Sequence, residues 1–320
     1  MTILGRVRSN KVAVSDPFGM SGFCRVARVS RAFGYVFANV PKSGGNSVRT
    51  ALIRTEAYLS GTSEADVVDS AHMDSAYFYR FNTDHRMVTA LSRGMRRGPL
   101  VTMVRNPFAR ALSAYHEKVV KTYRMLEGDP RYPMEKKGQR TRRLRELGLP
   151  LDHEVSFEEF LEGVMRVSPR WADQHFAPQS YLLAGTRVRY DCVGHLESYA
   201  DDMDRISRVV FGDPGLWREA ERAFGGQRNV NYRGGGAAER LQNEYTGRAI
   251  DLVRDYYADD FRLFGYHRSP ARASEPPEGD GVVVPRRWAM PLALAMASTE
   301  LAVKNVVWPG LRRVVRGAGS

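Results

Sequence analysis

The segment YVFANVPKSGGNSVR, residues 35–49, joins a short apolar run to a loop of small and polar residues. The apolar run predicts a β-strand over 34–40, because Pro41 has no N–H group with which to continue a ladder. A helix is predicted to begin near Asn46 or Ser47, since both residue types are favourable N-caps. The segment is therefore a strand–loop–helix unit.

A second unit of the same kind follows in VTMVRNPFARALSAY, residues 101–115. A strand is predicted over 99–104, and Pro107 suits the first turn of a helix that runs into the 120s, because the missing N–H costs nothing there. A third apolar run, residues 188–197, predicts another buried strand. Strands that alternate with helices predict an α/β fold, with a P-loop-like parallel sheet flanked by helices on both faces.

The composition is that of an ordinary globular protein with an excess of positive charge. The 48 lysine and arginine residues outnumber the 36 acidic ones, for a net charge of +12. This excess favours an acidic partner such as a nucleotide, an anionic polysaccharide, a nucleic acid or a membrane surface. Cys24 and Cys192 are too few for a disulfide framework, and no cysteine–histidine cluster suggests zinc. A reducing compartment and a metal-free site are therefore expected.

Four parts are predicted along the chain: a basic N-terminal arm (1–30), one domain (31–267), a linker rich in Pro, Glu, Gly and Ser (268–284), and a basic amphipathic tail (285–320). No run of eighteen apolar residues occurs, so no transmembrane helix is predicted. Two interpretations of the tail stay open. Its 288–316 part either lies on a membrane surface as an interfacial helix, or docks on the domain or on a partner subunit.

The loop of the first unit has the chemistry of an anion site. Its glycines let the backbone approach a phosphate or sulfate group, the helix start supplies N–H groups, and Lys42 supplies a mobile cation. A Walker A loop is disfavoured, because the lysine precedes the glycines instead of following them. The candidate anion ligands are Lys42, Ser43, Gly44, Gly45, Asn46 and Ser47. The alternative is a glycine-containing turn that binds nothing.

Arg105 and Ser113 give the second unit anion-binding chemistry of its own. Arg105 follows the predicted strand and can contact a phosphate through two N–H groups, and the Ser113 hydroxyl, two turns into the helix, can donate to the same phosphate. Alternatively, Arg105 caps the strand end and Ser113 is a small packing residue. Together the two units predict one ligand with two separate phosphate-like groups, held between neighbouring strands.

Both units resemble the cofactor-binding segments of a known enzyme family. PKSGGNSVR resembles the 5′-phosphosulfate loop, and RNPFARALSAY the 3′-phosphate segment, of sulfotransferases that use 3′-phosphoadenosine 5′-phosphosulfate (PAPS). The RNPFxRxLSxY form is most similar to the carbohydrate sulfotransferases of the chondroitin and dermatan type. Three later segments resemble further motifs of that family and occur in the same order: DQHFAPQS (173–180), YDCVGHLES (190–198) and YYADDFRLFGY (256–266).

Two features of the Golgi members of that family are missing here: the N-terminal membrane anchor and paired cysteines near 182–192. We therefore expect a bacterial relative that is cytoplasmic, either free or associated with a membrane surface.

The resemblance implies in-line transfer of a sulfuryl group from PAPS to an acceptor hydroxyl, without a metal. It implies that Lys42 stabilises the leaving group and that Arg105 and Ser113 hold the 3′-phosphate. Arg233, in the glycine-rich turn 231–238, either closes over the same phosphate or is a solvated loop arginine.

The proton acceptor is predicted to be His72, which lies between the two units, as the catalytic histidine does in the uronosyl 2-O-sulfotransferases that this stretch resembles. Glu197, His175 and His85 stay open as alternatives.

The expected acceptor is a hydroxyl group of a carbohydrate or glycoconjugate. The basic stretch 121–145 suits a sulfated or uronic-acid-bearing glycan, although a solvated insertion explains it as well. A lipid or small-molecule alcohol is the alternative acceptor.

A nucleic-acid-binding protein is an alternative from another class, but the sequence contains no recognised nucleic-acid-binding module. A sulfotransferase-like scaffold without activity is disfavoured by the intact Lys42, Arg105 and Ser113.

Overall fold

The computed structural model describes residues 21–62, 77–80, 98–132, 137–184, 190–225, 241 and 243–277. Its strands are β1 (Ala27–Ser30), β2 (Val36–Ala38), β3 (Phe78–Arg80), β4 (Leu100–Val104) and β5 (Cys192–His195). Its α-helices are α1 (Ser21–Val26), α2 (Gly45–Leu59), α3 (Pro107–Tyr115), α4 (Lys121–Leu126), α5 (Lys137–Glu146), α6 (Phe157–Met165), α7 (Gln179–Leu182), α8 (Tyr199–Phe211), α9 (Leu216–Ala223), α10 (Gly247–Tyr256) and α11 (Ala258–Phe264). A π-helical segment, His116–Val120, joins α3 to α4, and 3₁₀ turns occupy Leu196–Ser198 and Pro270–Arg272.

The described strands form a mixed sheet in the order β3–β1–β2–β4–β5. β2 pairs with β4, and β4 with β5, in parallel, with Val36 opposite Leu100 and Val101 opposite Cys192. β1 pairs antiparallel with both β2 and β3. The predicted parallel pairing is therefore confirmed for β2, β4 and β5. It is wrong for β1 and β3, which form an antiparallel edge of the sheet.

Residues 21–30 lie in the core of the domain, although the sequence predicted them to belong to a basic arm over 1–30. They form α1 and β1, and Arg25 donates from its guanidinium to the carbonyl oxygen of Ala172 at 2.9 Å. The buried apolar side chains of this stretch are Phe23, Cys24, Val26, Ala27 and Val29. For residues 21–30 the prediction was wrong, because the apolar residues between the arginines pack in the core.

The first residues of the predicted linker, 268–284, also pack on the domain. Ala273 follows the 3₁₀ turn and is buried in the core. The rest of the linker beyond residue 277 and the predicted tail, 285–320, lie outside the described residues.

Alternate residues of the strands contribute to two apolar cores, one on each face of the sheet. On β4, Leu100 and Val104 belong to the first core, and Val101 and Met103 to the second. The first core contains side chains of α1, α3, α6, α10 and α11, and the second contains those of α2, α8 and α9. Helices therefore cover both faces of the sheet, as the sequence predicts.

Local signals place the starts of the two helices of interest close to their predicted positions. α2 begins at Gly45, slightly before the predicted start, with Gly44 as its N-cap in the left-handed conformation. Asn106 caps α3, because its side chain accepts a hydrogen bond from the N–H of Phe108. Pro107 occupies the first turn of α3, as predicted.

The parallel pairing places three strand ends at one edge of the sheet. The loop 39–44 follows β2, Arg105 and Asn106 follow β4, and the Leu196–Ser198 turn follows β5. Ligands of open α/β sheets bind outside the carboxyl ends of parallel strands. Both predicted anion-binding units therefore lie on the edge at which a ligand is expected.

Glu56 is a buried carboxyl group on α2 whose protonation couples stability to pH. The Tyr35 hydroxyl donates to Glu56 Oε1 at 2.6 Å. Burial raises the pKa of Glu56 from 4.5 to about 7, against hydrogen bonds from Tyr35 and Ser30 that lower it. Between these two pH values the folded state keeps a proton that the unfolded state has lost. This group's contribution to stability is therefore fully present below about pH 4.5 and is lost as the pH rises through about 7.

We expect Glu56→Gln to remove the loss of folding stability that ionisation of Glu56 causes at high pH. The uncharged amide keeps an oxygen for the Tyr35 hydroxyl, so the variant should be more stable than the wild type at pH 8 by roughly 2–3 kcal/mol, and about equally stable at pH 4. Urea unfolding at both pH values measures the free energies. Glu146→Gln, at an exposed position of α5, is the control. An unchanged pH dependence in Glu56→Gln would contradict the assignment.

Candidate active site

The loop between β2 and α2 is closely packed at both of its glycines. Gly44 has a left-handed φ of 72°, and a Cβ there would lie 2.5 Å from the Leu196 side chain. A Cβ on Gly45 would lie 1.8 Å from Asn39 Oδ1. Lys42 also has a positive φ, 68°, which a residue with a side chain adopts only at a cost in free energy. The protein therefore imposes the shape of this loop, which leads directly into the amino end of α2.

A buried glutamine, Gln179, joins the two predicted anion-binding units. Its Oε1 accepts hydrogen bonds from Ser43 Oγ at 2.8 Å and from the backbone N–H of Arg105 at 3.0 Å. Its Nε2 donates to the Arg105 carbonyl oxygen at 2.8 Å. One planar amide therefore sets the separation between the loop after β2 and the loop after β4.

Two buried charges lie beneath this junction. The Asp260 carboxylate accepts from the backbone N–H groups of Gln179 and Ser180, at 2.8 and 2.7 Å. Burial raises the pKa of Asp260, and the charge of Arg110 opposes that shift. The fully buried Arg110 guanidinium donates to three carbonyl oxygens, those of Pro41, Gln174 and Ala177. Arg110 therefore connects the residue before Lys42 to the segment that carries Gln179.

Glu197, an alternative candidate for the proton acceptor, is part of the same framework. Its Oε1 accepts from the backbone N–H of Asn106 and its Oε2 from the Tyr266 hydroxyl, both at 2.9 Å. Burial raises the pKa of Glu197, while these hydrogen bonds lower it. With both oxygens engaged, Glu197 holds the start of α3 in place.

The Lys42 ammonium forms an ion pair with Glu117 in the π-helical segment. The other Glu117 oxygen accepts from Lys118 Nζ at 2.7 Å. Burial by itself would raise the pKa of Glu117, but the hydrogen bonds from the two lysines bring it to about 2. Burial also lowers the pKa of Lys42, and Glu117 opposes that shift. π-helical turns inside longer helices are frequent at functional sites, and this one places a carboxylate against the Lys42 loop.

The Arg105 guanidinium contacts the backbone of the first loop, because its Nη1 donates to the Lys42 carbonyl oxygen at 3.4 Å. Ser113 on α3 and Ser47 on the first turn of α2 are half-buried, and Asn46 is exposed. The predicted residues that lie outside the described ranges are His72, His85 and Arg233.

Sequence reasoning missed four residues that build this site. They are Arg110, Glu117, Gln179 and Asp260. Each lies within or beside a stretch that resembles a family landmark, but its partners are distant in the chain: Gln179 and Ser43 are 136 positions apart, and Glu117 and Lys42 are 75 apart. No local pattern reports such a contact.

We expect Gln179→Leu to destabilise the protein, because it removes the hydrogen bonds that Gln179 makes with the Ser43 hydroxyl and with the Arg105 backbone. An unsatisfied buried polar group costs about 1–3 kcal/mol, so the free energy of unfolding should fall by roughly 2–4 kcal/mol. Urea unfolding measures this change. Gln139→Leu, at an exposed position of α5, serves as the matched control and should be nearly neutral. Equal stability of the two variants would show that the bridge is not formed.

The described part of the chain was also searched for membrane-spanning helices and for metal-binding clusters. Within it, no helix is both long and apolar enough to cross a membrane. The same residues contain no group of three or more histidine, cysteine, aspartate or glutamate side chains arranged to hold a metal ion.

Comparison with known proteins agrees with this architecture. A family model described as "Sulfotransferase family" matches residues 26–267. Carbohydrate sulfotransferase 14 from Mus musculus and from Homo sapiens are each 28% identical to this chain over 169 residues, which is 51% of this chain and 41% of the relative. Carbohydrate sulfotransferase 8 from Mus musculus is 24% identical over 249 residues, 73% of this chain and 54% of the relative.

The chain thus spans about half the length of the curated relatives it matches. No solved structure matches it. The family match covers all five described strands and both predicted anion-binding units, and on this ground the chain belongs to the sulfotransferase family and resembles its carbohydrate sulfotransferases.

Proposed function

We propose that the protein transfers a sulfuryl group from PAPS to a hydroxyl group of a carbohydrate or glycoconjugate. The observation that carries the proposal is the junction of the two predicted anion-binding loops, where Gln179 contacts both Ser43 and Arg105. PAPS carries its anionic groups at the 5′ and 3′ positions of one ribose. Two adjoining anion sites suit such a ligand better than a nucleotide with phosphates at the 5′ position alone.

The proposed 5′ site is formed by Lys42 and the start of α2. The backbone N–H groups of residues 43–47 and the helix dipole favour an anion there, as in a P-loop-like site. Because the Ser43 hydroxyl is bonded to Gln179, Ser43 contributes through its backbone, and Ser47 supplies the hydroxyl. Gly44, Gly45 and Asn46 complete this loop.

The proposed 3′ site is formed by Arg105 and Ser113. Arg105 is half-buried beside the Lys42 carbonyl, and Ser113 is half-buried on α3. Both can donate hydrogen bonds to one phosphate, and a guanidinium recognises a phosphate through two parallel N–H groups. Arg233 and the proton acceptor His72 stay predictions from the sequence.

Lys42 is proposed to stabilise the charge that develops on the leaving phosphate. When bound, PAPS supplies an activated sulfuryl group, and its 5′-phosphate gains negative charge as the bond to sulfur breaks. Lys42 and the N–H groups of the loop neutralise this charge. Glu117 shares its carboxylate between Lys42 and Lys118, so Lys42 can turn towards the donor while Glu117 keeps Lys118 as its partner.

A carbohydrate acceptor is favoured by the similarity to carbohydrate sulfotransferases 14 and 8 and by the basic residues beside the site. Arg140 on α5 donates to the Glu117 carbonyl oxygen at 3.3 Å, and Arg143 donates to Asp173 at 2.6 Å. This part of the basic stretch 121–145 is therefore folded against the site. Cations in this position suit a glycan that carries carboxylate or sulfate groups.

We expect the wild type to bind 3′-phosphoadenosine 5′-phosphate (PAP) with micromolar or tighter affinity, and AMP about 100-fold more weakly. The difference arises because charge-assisted hydrogen bonds to the 3′-phosphate are absent in AMP. Arg105→Ala should weaken PAP binding about 100-fold and leave AMP binding nearly unchanged. Isothermal titration calorimetry measures all of these affinities.

Arg145→Ala, at an exposed position of α5, is the control for that titration and should bind PAP as the wild type does. Equal affinity of the wild type for AMP and PAP would sink the two-site proposal.

Lys42→Ala should lower the rate of transfer far more than the affinity for PAP. Loss of one group that stabilises developing charge typically costs about 10²- to 10³-fold in rate. The measurement is incorporation of labelled sulfate from PAPS into desulfated chondroitin or dermatan. Lys137→Ala, exposed on α5, should keep the full rate. An active Lys42→Ala variant would move the stabilising role to another residue.

A further inference from the structure

A histidine and an aspartate form a half-buried pair on a segment that Arg110 joins to the Lys42 loop. His175 Nδ1 is hydrogen-bonded to Asp173 Oδ1, and the backbone N–H of His175 donates to the same oxygen at 2.9 Å. The other Asp173 oxygen accepts from Arg143 Nε at 2.6 Å. The imidazole is therefore fixed on its own short segment, and Nδ1 is committed to the carboxylate.

Two routes connect this pair to Lys42. In the first, Arg110 donates to the carbonyl oxygens of Pro41 and Gln174, which directly precede Lys42 and His175 in the chain. In the second, Glu117 contacts both Lys42 and Lys118, and the charge of Lys118 acts on His175. The backbone contacts of Arg110 and the charge of Lys118 thus each connect the His175 segment to the Lys42 loop.

The cluster keeps a partly open face. The side chains of Lys42, Lys118, Asp173 and His175 are 16%, 12%, 18% and 17% exposed. Such exposure is too small for a solvated surface and large enough for contact with a ligand. With Nδ1 held by Asp173, Nε2 is the ring nitrogen that can accept a proton.

We propose that His175 is the proton acceptor of the transfer reaction, with Asp173 as its positioning residue. The inference rests on the proposed function. In the step, the acceptor oxygen forms a bond to sulfur while the bond between sulfur and the 5′-phosphate oxygen of PAPS breaks. The proton of the acceptor hydroxyl moves to His175 Nε2, and the electron pair of the broken bond stays on PAP. His175 then releases its proton to solvent.

The charges around His175 suit this task. Burial lowers the pKa of His175 from its ordinary value, and Lys118 and Arg143 lower it further, while Asp173 raises it. The imidazole is therefore neutral at neutral pH and can accept a proton. Burial would raise the pKa of Asp173, but His175 and Arg143 hold it well below its ordinary value, so the carboxylate stays charged.

This assignment differs from the prediction made from the sequence, which favoured His72. The two assignments are separated by the variants His175→Gln and His72→Gln. The chain also offers a matched control, His153, whose Nδ1 lies 3.0 Å from Asp152 Oδ1 at a fully exposed position. His153→Gln removes the same chemical pair away from the site.

The test is a single-turnover measurement of sulfate transfer from labelled PAPS to desulfated chondroitin or dermatan, with release of labelled sulfate to water followed in parallel. His175→Gln should lower the rate about 10²- to 10⁴-fold, which is the usual contribution of a general base. Its affinity for PAP, measured by calorimetry, should stay within about twofold of the wild type. His153→Gln should match the wild type in both measurements.

The pH dependence gives a second readout that loss of structure would not imitate. The wild-type rate should fall at acid pH as His175 becomes protonated. Asp173→Asn removes a negative charge and should move this acid limb to lower pH, whereas Arg143→Gln removes a positive charge and should move it to higher pH. The groups that act on the imidazole are Asp173, Lys118 and Arg143, so opposite shifts identify His175 as the titrating group.

The outcomes are distinguishable. If His175→Gln transfers sulfate as fast as the wild type, and above all if His72→Gln does not, the inference is overturned and the proposed function stands. If the wild type itself binds no PAP, the proposed function fails first and the inference fails with it.

Discussion

The amide of Gln179 is the contact on which the geometry of the site depends. It is buried, and it bonds at once to Ser43 in the loop after β2 and to Arg105 in the loop after β4. A planar amide offers one acceptor and two donors in fixed directions, so the two loops cannot separate or slide without leaving buried polar groups unpaired. The parallel sheet brings the loops to one edge, and Gln179 sets their distance.

Gln179 is in turn held by a pair of buried charges. Asp260 accepts from the N–H groups of Gln179 and Ser180, and Arg110 lies close enough to offset its charge. A buried charge pair of this kind adds little net stability, because desolvation consumes most of the attraction. Its effect here is geometric: Arg110 also holds the carbonyl oxygen of Pro41, and so the same network fixes the backbone of Lys42.

The sequence predicts those parts of the fold whose causes are local. The strands before Pro41 and Arg105 and the helix start at Pro107 follow from neighbouring residues, and each lies close to its predicted position. β1 escaped prediction because it is only four residues long and contains Arg28, and its pairing with β2 and β3 decides its state. Lys42 was found from its loop, whereas Glu117 was not, because the ion pair joins elements 75 positions apart.

The histidines also show that a local sequence pattern does not reveal contacts between distant parts of the chain. His153 and His175 each have an aspartate within two positions, so this local pattern does not distinguish them. In the folded chain the His153–Asp152 pair is exposed, while Asp173 of the His175–Asp173 pair accepts a hydrogen bond from Arg143, and Arg110 joins this segment to the Lys42 loop. Desolvation distinguishes the second pair, because burial lowers the pKa of the His175 imidazole. Hydrogen bonds from the His175 N–H and from Arg143 hold the Asp173 carboxylate in its orientation. Burial is a property of the whole fold, and the role of a histidine is therefore read from its surroundings and not from its motif.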